Sequence, residues 1–325
     1  MTIQTEETNV RDQLTAQTPA GRYRLDFRRY YSPYYVAIGL VMAVLVPLEI
    51  VWCRIDRLGG LSHVWGSVPS LVMLVACLAY CHWRPLPKLI EVVEMVIVTV
   101  VLSTFLSVLV QLAGRNHHPM VDHQLAWMDR WAGVSTVAVV HWIAGWPVLR
   151  LVLALTYNLT IVFMVAALII PSLMGRVRWS QQFILSVTVA LFITVALFWQ
   201  WPSLGPWSVE GYSPTKLQWS VAQYLLELRS GVPLQLDMAR AGIVTFPSFH
   251  ATLALLCAVA VGSVRQLRTV SWVLMALVCV STVALGWHYF TDVAAGLLVG
   301  GVALAITYPI VHRVRPDASA ATLRK

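Results

Sequence analysis

Two histidines and a carboxylate stand out by type and spacing. Phe246-Pro247-Ser248-Phe249-His250 and, about forty residues on, His288-Tyr289-Phe290-Thr291-Asp292 each open an apolar run. His288 and Asp292 are four residues apart, so on a helix they share a face and the carboxylate can accept the imidazole proton. An imidazole held in this way is a nucleophile or a base. His250 stands near an expected helix N-terminus, where backbone N–H groups and the helix dipole favour anions, and is placed to act as an acid beside a phosphate. The three side chains meet at one surface if both helices enter the bilayer from the same side. Ser248 reads in two ways, as a phosphate ligand or as the N-cap that follows Pro247.

The elements that must position these residues are membrane helices. Of 325 residues, 58% are hydrophobic and only 12% are charged, and the mean hydropathy is +0.71. Several separate apolar runs of eighteen or more residues make the chain an all-α, polytopic membrane protein. Spans are expected at about 34–53, 64–83, 89–113, 148–174, 179–200, 248–264, 269–287 and 290–310, eight in all. A Thr/Gln/Glu-rich segment that turns basic and aromatic precedes them, and no cleavable signal peptide is expected. The expected organisation is an N-terminal tail (1–33), three transmembrane helices (34–113), a membrane domain carrying the motifs (114–310) and a C-terminal tail (311–325).

Basic residues orient the bundle. Eight spans put both termini on one side, and fifteen of the 23 Lys and Arg residues fall on that side, among them Arg28, Arg84, Lys88, Arg176, Arg265 and Arg313. The termini are therefore expected in the cytoplasm and the two motifs on the extracytoplasmic face, with the cell (inner) membrane as the expected location. The formal charge of +8 is spread over short loops rather than gathered in a stripe, which fits lipid headgroups and excludes a nucleic-acid partner. Five cysteines lie in or at the ends of apolar runs and fit neither a disulfide framework nor a zinc site. His117, His118, Asp122 and His123 are expected to be solvated rather than metal-bound, with Asp122 and Asp129 capping or ordering the first long outer loop. In that loop Val134 to Trp142 is apolar but too short to span, which predicts a re-entrant or surface-lying helix. The second long loop, about 201–247, carries a helical pattern in Leu217, Val221, Tyr224, Leu225 and Leu228 suited to the interface.

The order Ser-x-His, helical hairpin, His-x-x-x-Asp resembles the type 2 phosphatidic acid phosphatase superfamily, whose elements are Lys-x₆-Arg-Pro, Pro-Ser-x-His and Ser-Arg-x₅-His-x₃-Asp. Here Ser281 is followed by Thr282 where that family has arginine, and after Lys216 and six intervening residues comes Gln223 rather than an arginine-proline pair. Together with Ala294-Ala295-Gly296, Asp122 to Gly133, Ala154 to Asn158 and Leu204-Gly205-Pro206, the motifs look like the inositol phosphorylceramide synthase branch, over roughly residues 85–310. The resemblance implies a phosphatase-type helical core in which His288 attacks phosphorus, Asp292 orients it, His250 protonates the leaving oxygen and Ser248 helps to hold the phosphate. It implies a lipid phosphate or phospholipid as substrate, and neither metal nor other cofactor. Arg229 and Arg240, and after them Lys216, are the expected phosphate ligands in place of the missing basic residues, since outward arginines are scarce and a planar guanidinium suits phosphate. The acceptor is left open between water (a phosphatase) and an alcohol such as an inositol hydroxyl (a phosphotransferase). A non-catalytic lipid-binding protein or lipid transporter on the same scaffold is the rival expectation.

Overall fold

The computed structural model describes residues 32–55, 65–84, 86–231 and 242–312. The expected tails lie outside these residues apart from 32–33 and 311–312, and so does Arg240. No strand occurs among the described residues. The helices are α1 (Pro33–Ile55), α2 (Val68–Trp83), α3 (Pro87–Gly114), α4 (Asp122–Trp131), α5 (Thr136–Ala144), α6 (Pro147–Leu173), α7 (Val177–Gln200), the single turn α8 (Trp207–Glu210), α9 (Lys216–Arg229), α10 (Phe249–Gly262), α11 (Arg268–Ala284) and α12 (Phe290–His312).

Among the described residues seven helical segments are long and apolar enough to cross a membrane, namely α1, α3, α6, α7 and α12, together with α2 and α11 when the helical turns before them are included (Trp65–Trp83 and Arg265–Ala284). The chain is thus a polytopic helical membrane protein. The eighth expected span, 248–264, is shorter than expected. α10 runs only from Phe249 to Gly262, roughly 21 Å at a rise of about 1.5 Å per residue, against a hydrocarbon core of about 30 Å. Its position explains why it can be short. α10 packs against α6, α7, α11 and α12 at once, so protein rather than lipid surrounds it and its ends need not reach the headgroups.

One core unites most of the chain. Leu106, Phe163, Phe183, Phe198, Leu256 and Ala303, from α3, α6, α7, α10 and α12, belong to a single buried cluster. α3, the last of the three helices assigned to an N-terminal group, packs directly on α6 and α7. α2, by contrast, buries little of its surface and stands at the edge beside α3.

The two outer connections fold back onto the bundle. α5 is the short apolar helix expected in the first loop. It is capped by Ser135, whose hydroxyl accepts the Ala138 N–H, and it leans on α11 while Trp142 stays exposed. α9 opens with a capping box between Thr215 and Gln218. Its inner face is Gln218, Ala222, Tyr224, Leu225 and Leu228, whereas Leu217, which the sequence pattern placed on that face, is exposed. Leu225 and Leu228 pack closely on Gly114 at the end of α3, and the Tyr224 hydroxyl donates to Gln111.

Candidate active site

The end of the bundle where α10 and α12 begin is built around two turns. α11 ends in a Schellman motif. Gly286 takes φ +71° and donates its N–H to the Val283 carbonyl, and the Trp287 N–H reaches the Thr282 carbonyl. The His288 N–H adds a second bond to that same carbonyl, at 3.2 Å. Trp287 and His288 are thereby turned into the space between the helices. Thr282, at the position of the expected arginine, is fully buried, and its hydroxyl donates to the Cys279 carbonyl.

His288 therefore precedes α12 instead of riding on it, which corrects the expectation of a shared helical face. Asp292 is the third helical residue, and its Oδ2 accepts the Tyr289 N–H at 2.9 Å, the carboxylate half of a capping box. His288 Nδ1 lies 2.9 Å from the Thr245 carbonyl and 3.4 Å from Asp292 Oδ2. A carbonyl oxygen can only accept, so Nδ1 carries the proton and Nε2 is left with its lone pair. The nearer carbonyl is the hydrogen-bond partner, and the carboxylate oxygen lies half an ångström farther from the same nitrogen. Asp292 Oδ1 is buried and has no partner among the described residues.

His250 faces this imidazole. The two rings are 5.8 Å apart between centroids, and the Ser248 N–H bonds the Asp292 carbonyl at 3.0 Å, tying the starts of α10 and α12 together. Close approach at this point depends on Gly296, where a Cβ would come 2.2 Å from the Ser248 carbonyl oxygen. Behind His250 the Tyr157 ring stacks at 4.5 Å, and the Trp287 ring lies parallel to Tyr157 at 5.7 Å. Tyr157, His250, Trp287, His288, Gln218 and the Gly242–Thr245 segment enclose a cavity of about 40 Å³, room for a few water-sized groups. Burial pulls the His288 pKa down to about 4, with the Thr245 carbonyl working in the opposite direction. The imidazole is therefore neutral at physiological pH.

The expected phosphate ligands are placed elsewhere or lie outside the described residues. The Ser248 hydroxyl caps α10 by accepting the Ala251 N–H and does not line the cavity. Arg229 donates to Asn116 Oδ1 at 2.8 Å and to the His118 carbonyl at 2.7 Å, pinning α9 to the loop after α3. Lys216 is exposed at the start of α9. No Lys or Arg is among the described residues that line the cavity. Arg240 lies outside the described residues, two positions before Gly242, which lines the cavity. At the head of α10 the Ser248 cap satisfies Ala251, and helix geometry leaves the Phe249 and His250 N–H groups without intrahelical acceptors.

Two aspartates hold this end of the molecule in shape. Asp129 on α4 accepts the Phe290 and Thr291 N–H groups, each at 2.8 Å, together with the Thr291 and Thr136 hydroxyls. Asp122 accepts the Ser203 hydroxyl, the Leu204 and Gly205 N–H groups and the Tyr289 hydroxyl. Both carboxylates are buried and both bind segments flanking the cavity. Three or more His, Cys, Asp or Glu side chains converge nowhere among the described residues in a way that would hold a metal ion.

The structural roles of Thr245, Tyr157 and Gln218 were missed in the sequence. The first acts through its backbone, Tyr157 gives no signal beyond the likeness of Ala154 to Asn158 to the synthase branch, and Gln218 gives none. No curated protein and no solved structure matches the chain. A family model described as the PAP2 superfamily matches residues 123–306, more than half of the chain and the part that contains every residue of the cavity wall. The chain belongs to the PAP2 superfamily.

Proposed function

We propose that the protein transfers a phosphoryl group from a lipid phosphate through a phosphohistidine on His288. Members of the superfamily carry out phosphoryl transfer or hydrolysis on lipid phosphates, which supports the reaction class. The observation that carries the residue assignment is the neutral His288, its Nδ1–H committed to the Thr245 carbonyl, facing His250 across a small enclosed cavity.

The Nε2 lone pair of His288 forms the bond to phosphorus as the bond to the leaving oxygen breaks, and that oxygen takes a proton from His250. A phosphate monoester can bring that proton, since its second pKa is near 6; with a phosphodiester, His250 enters the cycle protonated and regains its proton from the acceptor in the second half. The phosphorylated imidazole is cationic, and the buried Asp292 carboxylate compensates it, as an orienting carboxylate does beside an imidazolium. In the second half, an acceptor oxygen attacks phosphorus, the P–N bond breaks and His250 takes the acceptor's proton. The unengaged N–H groups at the head of α10, the dipole of that helix and Arg240 are the proposed anion stabilisers. Ser248 is proposed to act by fixing that helix start, and Arg229 and Lys216 to act outside the cavity.

The acceptor is water in a phosphatase and an alcohol in a phosphotransferase. Likeness to the inositolphosphotransferase branch favours transfer, in which case a phosphatidylinositol donor would pass on its phosphoinositol head. The distribution of basic residues supports an extracytoplasmic position for the cavity. The absence of Lys and Arg from the described cavity wall favours a second reading, a lipid-binding protein or transporter that performs no chemistry.

The test is product analysis with phosphatidic acid, a prenyl pyrophosphate, and phosphatidylinositol with ceramide, in detergent and EDTA, for wild type and His288→Ala side by side. Free phosphate that depends on His288 identifies a phosphatase, and a new phospholipid without free phosphate identifies a transferase. Lipid movement that survives His288→Ala, with no product from either protein, would establish the second reading.

A further inference from the structure

α4 has a second face that the cavity does not use. Asp122, Leu125, Ala126 and Asp129 are buried toward the bundle. The outward side carries His123 and Gln124 in its first turn and then Trp127, Met128 and Trp131. These recur at spacings of three and four residues, one stripe of a helix. The stripe is polar where the helix starts and apolar where it ends. Trp131 is 83% exposed, and the neighbouring Arg130 is paired with Glu210 at 3.3 Å.

An exposed stripe of this kind is a liability in water, and two connections point to what covers it. From the buried side of α4, Asp129 accepts the Phe290 N–H. Phe290 opens the exposed apolar side of α12, which continues through Leu298, Val302 and Ile306. Downstream, α5 exposes Trp142, whose ring lies 6.3 Å from that of the exposed Trp146. Trp146 is the residue before α6, and the exposed Val148, Leu151, Val152 and Leu155 follow on that helix. Both α6 and α12 are long and apolar enough to span a membrane. The segment from α4 to α5 therefore joins the starts of two lipid-facing surfaces, and its exposed tryptophans are continuous with them. Trp suits that boundary, since it pairs a large apolar ring with one N–H for headgroups or water.

We infer that α4 is an interfacial helix whose Trp127, Met128 and Trp131 side is seated in the headgroup–acyl boundary of the leaflet at the cavity end, with its His123 end in water. The partner is a lipid surface. The inference goes beyond phosphoryl transfer and does not depend on it. The buried side of α4 holds the head of α12 through Asp129 and the 203–205 segment through Asp122. Seating α4 in the boundary therefore also sets the depth at which the cavity stands in the leaflet.

The test is a depth measurement by electron paramagnetic resonance on the full-length protein in phosphatidylcholine liposomes, with Cys77 and Cys279 replaced by alanine. One nitroxide at a time is attached to a cysteine at position 123, 127, 128 or 131. A further label replaces Leu298, which lies two turns past Phe290, roughly 12 Å along the lipid-facing side of α12. Collisions with oxygen, which concentrates in lipid, are compared with collisions with a water-soluble nickel chelate. Oxygen should prevail at 127, 128 and 131, at a depth shallower than that of 298, and nickel should prevail at 123. Nickel prevailing at 127, 128 and 131 would leave the stripe in water. Low access to both reagents with spin–spin broadening would put a second copy of the chain on it. A depth equal to that of 298 would place the helix in hydrocarbon instead of at its edge. Any of these three results overturns the inference. Met128→Cys retains both tryptophans, so its label reports on the stripe with its anchors intact.

Discussion

His288 has two neighbours on one nitrogen, and they divide its chemistry between them. The Thr245 carbonyl at 2.9 Å sets the tautomer, and in the proposed mechanism the Asp292 carboxylate at 3.4 Å compensates the ring once it is phosphorylated. Asp292→Asn should separate these roles. An asparagine oxygen can still accept the Tyr289 N–H, so the fold should survive with a Tm within a few degrees, while kcat falls by about 10²–10⁴. His288→Ala should abolish turnover, and His250→Ala should cost about 10²–10⁴ in kcat. Steady-state kinetics together with thermal unfolding check all three. The pH profile follows from burial. With its pKa held near 4, His288 keeps its lone pair throughout the neutral range, so kcat/KM should fall on the acid side only as pH approaches about 4. Between the ordinary histidine value of about 6.5 and that point the unfolded chain binds a proton that the folded chain does not, so stability also falls on acidification across this window. The three side chains that meet here were legible because each lies in a short contiguous motif. The Thr245 contact was not, because a carbonyl belongs to every residue and leaves no mark in the sequence. Arg229 was read by scarcity and charge, and the structure gives it a local partner in Asn116.

At the scale of the element, the site depends on how two helices begin and one ends. The i, i+4 spacing of His288 and Asp292 brought the correct pair together for a reason the structure replaces. The Gly286 turn, not a shared helical face, delivers His288 to the carboxylate. Asp129 is the main support for the start of α12, with four donors on its two oxygens. Asp129→Ala should leave the Phe290 and Thr291 N–H groups without acceptors and lower stability by about 2–4 kcal/mol, with a matching loss of activity. Gly296→Ala tests the helix contact itself. A methyl 2.2 Å from the Ser248 carbonyl cannot be absorbed by a side-chain rotation, so α10 and α12 must separate. The expected cost is about 1–3 kcal/mol with a larger proportional loss in kcat, because the two histidines sit on either side of that contact.

Across the whole molecule, hydropathy located the membrane helices but could not report which of them lipid surrounds. A window of apolar residues has the same composition at the lipid surface and in the protein interior, so α10 reads as a span although it is a short central helix enclosed by four others. Its enclosure ties the position of the candidate catalytic cavity to the direction in which the bundle is inserted. The heads of α10 and α12, the tail of α11 and the exposed side of α4 share one end, and the turn Arg265–Leu267 between α10 and α11 is at the other. If the basic loops lie in the cytoplasm, as their charge bias favours, a cysteine at position 123, on the exposed side of α4, should react with a membrane-impermeant maleimide in intact cells. One at position 265, which is also exposed, should react only after permeabilisation. Cys77 is exposed on the lipid-facing α2 and is replaced by Ala in both variants to remove background. The reverse pattern would turn the molecule over and place the cavity on the cytoplasmic side, leaving its chemistry intact but requiring a cytoplasmic source of lipid phosphate and acceptor.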